Sequence, residues 1–195
     1  LTKSGTKWVL TIDDLYTYYD CAKGMEITGL NFVFRNQAAT KQTGDILHPF
    51  GFEDKAPTTK TRPAGITDGI FYDSADPTKV TVSLYVAPSK SGVTAKNVYI
   101  LCEANHWSFS NDYQCYKDGN YFWYTFTGLT AGKEYAFQYG VKMSNGSYVQ
   151  MSDPYSTKVL HPLDEYEPKK VDPTLMDYPK GGSDYVTVIQ PGKKA

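Results

Sequence analysis

Trp107 stands two residues after Asn105, in a loop that follows the alternating apolar run Val98, Ile100 and Cys102. An indole offers a flat apolar surface for the C–H faces of a sugar, and a neighbouring amide can meet the hydroxyls. A second ring, Tyr148, follows Asn145-Gly146, a pair that tolerates positive φ and so marks a hairpin turn. Alternation on either side of that turn places Gln138, Lys142, Tyr148 and Gln150 on one outward face. Trp107, Tyr148, Gln138, Gln150, Lys142 and Asn105 therefore form the candidate carbohydrate-binding set. Two of the rings have a plainer role open to them: Trp107 covers the end of the fold or docks on a neighbouring domain, and Tyr148 is an ordinary exposed strand residue. Trp123 packs on a sheet face or on a neighbouring domain, and Tyr113 and Tyr116 read as loop packing.

Other chemistry finds less support. Ser108, His106 and Asp112 are too close together in one loop to acquire the fixed mutual orientation of a catalytic triad. Of the three cysteines Cys21 stands alone, and Cys102 and Cys115 lack a nearby His pair, so no metal site is expected. Cys102 and Cys115 are either buried free thiols or a pair bridged across one edge. Asn145-Gly146-Ser147 is formally a glycosylation sequon, but the hairpin accounts for it. Asp164, Glu165 and Glu167 read as a solvated charge run. No catalytic residue and no cofactor is assigned.

Composition narrows the partners. Twenty basic and 21 acidic side chains give a net charge of -1, too little field to gather nucleic acid. No apolar run approaches the roughly 20 residues of a membrane span, so no membrane insertion is expected. Aromatic residues make up 15% of the chain, 17 of them Tyr, more than a core needs, so some rings should reach the surface.

The elements that must position these residues are strands. Val80, Val82, Leu84 and Val86 alternate with Thr81, Ser83 and Tyr85. The pattern repeats at Val98–Cys102, at Phe122, Tyr124 and Phe126, at Tyr135–Val141, and on a return strand with Val149 and Met151 inward. Turn signals separate these runs and no convincing helix interrupts them, which predicts an all-β fold, an immunoglobulin-like antiparallel β-sandwich. A partial β-rich segment with one short helix precedes it: strands at Lys7–Thr11 and Leu30–Arg35, and a helix near Asp13–Tyr19 with Thr11 as its cap. The polar, Pro-containing stretch before Gly65 reads as a linker. After Tyr155 the chain is Pro-rich and reaches a strand-like segment at Tyr185–Ile189.

The run ITDGIFYDSADPTKVTVSLYVAP, then VYILCEANHW and the meander to SDPYSTKVL, resembles the non-catalytic N-terminal region of secreted α-amylases of Bacteroidetes in glycoside hydrolase family thirteen. That resemblance implies an early-set sandwich related to glycogen- and starch-binding modules of the family forty-eight type. It divides the chain into a starch-binding-like segment at 1–55, a linker at 56–66, the sandwich at 67–160 and a Pro-rich tail at 161–195 leading to a catalytic barrel. It also implies a secreted or cell-surface protein, with α-glucan and a downstream catalytic barrel as partners. The family's FNxW motif is similar to Ala104–Trp107, with Ala for Phe. Tyr148 falls where relatives carry Trp, and Ala136 and Gln138 fall near their strand Lys. Neither the family's Arg-x-Asp nucleophile motif nor its Asn-His motif occurs, so an accessory, non-catalytic role is expected, as a glucan binder or as a purely structural spacer.

Overall fold

Alternating apolar residues make strands here because one face of each can be buried against the opposite sheet. The computed structural model describes residues 2–20, 27, 29–49 and 54–193; Cys21 lies outside them. Two hairpins come first: β1 (Thr2–Ser4) with β2 (Lys7–Val9), and, after the short helix α1 (Leu15–Tyr18), β3 (Gly29–Phe32) with β4 (Ile46–Pro49). The cap of α1 is Asp14, whose carboxylate accepts from the Tyr16 N–H at 3.0 Å, so the cap is not Thr11.

The sandwich follows. One sheet has four antiparallel strands in the order β5 (Gly69–Tyr72), β6 (Val80–Tyr85), β9 (Tyr121–Phe126) and β8 (Tyr116–Asp118). The other sheet is built around the nine-residue β10 (Tyr135–Met143). Along one side of β10 runs β7 (Ala95–Cys102). Its other side is shared: β11 (Tyr148–Met151) pairs with Tyr139–Lys142, and β13 (Val186–Ile189) pairs with Tyr135–Phe137. β12 (Val159–Leu160) lies outside β13. The described residues thus form an all-β antiparallel sandwich with two short α-helices, the second being α2 (Glu167–Val171).

Val82, Leu84, Ile100, Phe122, Phe137 and Tyr139 fill the space between the sheets, none more than 2% exposed. Beneath them Tyr139 donates its hydroxyl to the buried Asp153 carboxylate at 2.9 Å, and Asp153 N–H bonds Thr187 Oγ1 at 2.7 Å. Cys102 and Cys115 are both free and buried, and burial pushes both thiols above their ordinary range. Val149, expected inward, is 47% exposed because β11 is an edge strand, whereas Met151 does pack on the core.

Two segments differ from their sequence-based reading. A sandwich closed at residue 160 omits β13, yet Val186, Thr187, Val188 and Ile189 are all buried, and the strand sits between β10 and β12. The stretch before Gly65, read as a linker, is strapped to the fold as well, beginning just ahead of residues 56–66. Asp54 accepts from Tyr99 Oη at 2.9 Å and from Lys142 Nζ at 2.8 Å, on the second sheet. A few residues on, Thr58–Lys60 pairs with the edge of β8 through Lys117, with bonds of 2.9 and 3.0 Å.

Candidate functional site

Residues directly opposite one another in a sheet share a face. The pairs Tyr99–Gly140, Leu101–Gln138, Lys142–Tyr148 and Gly140–Gln150 therefore define one outer face of the five-stranded sheet, the face expected to hold sugar. It is largely covered. Phe109 lies over Gly140, where a Cβ would stand 2.9 Å from the Phe109 ring, so only glycine admits the ring at this depth. Tyr99 and Tyr148 flank Phe109 edge-on, with ring centroids 5.2 and 5.3 Å away.

Three of the six expected sugar contacts are committed inside the protein. Gln138, expected to face solvent, is fully buried because residues 183–185 lie across it. Its Nε2 donates to the Ser183 and Tyr185 carbonyls at 2.6 Å, and its Oε1 accepts from Ser183 N–H at 3.0 Å. Lys142 pairs with Asp54 and rests 4.3 Å from the centre of the Phe109 ring. Asn105 shapes its own loop, accepting from Cys102 N–H at 2.9 Å and donating to the Ile100 carbonyl at 2.7 Å. Each was read from alternation or proximity, which says which way a side chain points and not what lies over it.

The other three meet at a cleft. Trp107, Tyr148 and Gln150 line one side of a space of about 400 Å³, and Asn31, Asp45 and Leu47 from the β3–β4 hairpin line the other. Gln150 links the two tail contacts: its Nε2 donates to Gln138 Oε1 at 2.7 Å and to the Gly181 carbonyl at 3.0 Å, while its Oε1 accepts from Tyr148 Oη at 3.0 Å. Burial holds the Tyr148 phenol above its ordinary pKa, so it remains a neutral donor. Gly29, Ser108, Phe109 and Ser183 complete the lining. The hairpin residues and Ser183 carry no period or motif that marks them in the sequence.

Trp107 is not the open platform its sequence context suggests. It is half-buried, packed between Phe109 and Leu101 on one side and Leu160, Val186 and Val188 on the other. A Cβ on Gly181 would overlap Trp107 Cβ, so the tail passes over the indole where only glycine fits. His106 and Trp107 both hold left-handed backbone, at φ 53° and 57°. Such conformations cost on the order of 1–3 kcal/mol for residues with side chains and are retained where surroundings or function demand them. The indole Nε1 is buried and has no hydrogen-bond partner among the described residues.

Ser108 Oγ donates to the His106 carbonyl at 3.3 Å and not to the imidazole, so the loop trio is not arranged as a triad. Among the described residues no group of three or more His, Cys, Asp or Glu is placed to hold a metal, and no helix is long and apolar enough to cross a membrane. Asn145 accepts from Ser147 N–H and Oγ, as the hairpin requires. The run after His161 is engaged too: Asp164 accepts from His161 N–H and Glu165 from Tyr178 N–H.

Fold and site together define an all-β sandwich with a small cleft on one outer face, bordered by rings, amides and hydroxyls. No family model matches the chain, and no curated protein matches it.

Proposed function

We propose that the chain is a non-catalytic accessory region of an α-amylase-type glycoside hydrolase and that it holds α-glucan in the cleft beside Trp107. The observation that carries the reading is a cleft lined by the Trp107 and Tyr148 rings and by Gln150, beside which the buried Trp107 Nε1–H has no partner among the described residues. A buried donor without an acceptor is costly, and a bound hydroxyl would satisfy it. The volume of about 400 Å³ falls within the range of small-molecule sites. The resemblance in Gly65–Gln190 supplies the ligand class.

Affinity electrophoresis through soluble starch tests it: the chain is retarded, and Trp107→Ala abolishes the retardation. Unretarded migration at high polysaccharide concentration would refute it.

A structural spacer is the second reading, favoured by the way Gly181 and the Leu160–Val188 cluster enclose much of Trp107. It predicts that Trp107→Ala lowers the unfolding midpoint of a chain that starch never retarded.

A further inference from the structure

The β3–β4 hairpin does more than precede the sandwich. Asn31, Asp45 and Leu47 form one wall of the cleft, and Leu47 packs against the Tyr99–Phe109 cluster. Close by, Asp54 is fixed to the sheet by Lys142 and Tyr99. The opposite wall offers the Trp107 and Tyr148 rings and the side-chain oxygen of Gln150, both of whose amide hydrogens are already engaged. Of the described residues lining the cleft none is cationic and one, Asp45, is anionic.

Accepting the glucan-binding reading, we infer that this is a two-segment site for a short stretch of neutral oligosaccharide, with the hairpin supplying the second wall. Three observations lead there. The walls come from segments about sixty or more residues apart in the chain, so neither segment alone encloses the space. The charge balance disfavours acidic sugars, whose carboxylates would face Asp45 with no cation opposite. The volume of about 400 Å³ suits a few sugar units, whereas an extended polymer face would need rings in a row, and here Phe109 is buried under its neighbours.

Isothermal titration of the full chain with maltooligosaccharides of increasing length tests the inference. Asn31 and Asp45 are exposed, so Asn31→Ala with Asp45→Ala leaves the circular dichroism spectrum and unfolding midpoint unchanged. The expected result is about ten-fold weaker binding by that double variant, the loss of roughly one well-made hydrogen bond's worth of affinity. Affinity should also level off after the first few glucose units, and an oligogalacturonate of the same length should bind more weakly. Unaltered affinity in the double variant, with Trp107→Ala still abolishing binding, overturns the two-segment site and leaves the glucan reading intact. Affinity that rises steadily with chain length, or tighter oligogalacturonate binding, also overturns it. No binding by the wild-type chain removes the glucan reading itself, and this inference with it.

Discussion

The two sheets turn aromatic outer faces away from their shared core, and the chain closes those faces in different ways. On the four-stranded sheet Tyr85 leans on Tyr121 and Tyr116 on Trp123, with centroids 4.9 and 4.8 Å apart. The strap seals this layer: Arg62 sits 3.4 Å over the Tyr121 ring and bonds Asp118, and Lys60 lies over Tyr116 and Trp123. The Arg62 hydrogen bonds hold the Asp118 carboxyl below its ordinary pKa. Trp123, 3% exposed, donates its Nε1–H to the Lys60 carbonyl at 2.9 Å. On the five-stranded sheet Trp107 is also enclosed, but its N–H has no such acceptor among the described residues and a cleft remains beside it. A count of rings does not separate the two faces. Whether the indole N–H is satisfied does.

The comparison breaks most sharply at the two tryptophans. Trp123→Ala should cost about 3–5 kcal/mol in urea unfolding, since it empties a sealed layer and frees the strap, while starch retardation measured below the new midpoint is retained. Retardation lost along with stability would mean that the sealed face also binds. Gln138→Ala comes next, at about 2–4 kcal/mol, because Ser183 N–H and two carbonyls lose their buried partner. Limited proteolysis should then cut within residues 176–185; an uncut tail would show that packing on Trp107 alone secures it. Trp→Phe sharpens the contrast by removing the N–H and keeping a ring. At 123 the exchange destabilises by about 1–3 kcal/mol, leaving the Lys60 carbonyl unpaired, without touching affinity. At 107 it should weaken the proposed glucan binding about ten-fold with a smaller stability change, and equal stability losses at both sites would erase the distinction.

The strands that carry these faces were legible because β6, β7, β9 and β10 alternate and Asn145-Gly146 announces a turn. β13 was recognisable as a strand but not as part of the sandwich. Val186–Ile189 is buried along its whole length, and a short uniformly buried run gives no facing to read. Gln138 misled for a related reason: a polar residue in an outward register looks solvent-facing until the chain that crosses it is known. The strap left no side-chain period because its pairing with Lys117 is made by main-chain groups. Of the candidate site, Trp107, Tyr148 and Gln150 were foreseeable; Asn31 and Asp45 were not, since only tertiary folding brings the hairpin opposite them.

The smallest expected effect lies between the faces. Burial holds the Asp153 carboxyl above its ordinary value, although Tyr139 and Tyr155 bond its charged form. Folded Asp153 therefore keeps its proton to higher pH than unfolded Asp153, and its contribution to stability falls as pH rises from about 4 through the raised value. Asp153→Asn should flatten that part of the profile of urea midpoints against pH. Parallel profiles for the two proteins would show that the group does not titrate in the window.

The shared side of β10 has a consequence for the order of assembly. Its first third, Tyr135–Phe137, waits for β13, which follows β12 only after the excursion through residues 161–185. Until that later stretch of chain has been made and has returned, the middle of the sheet presents unpaired main-chain groups. Closing such a long loop is slow compared with zipping the β10–β11 hairpin. During synthesis the half-built sheet is a template for strand exchange with a second chain, and the risk ends when β13 slots in.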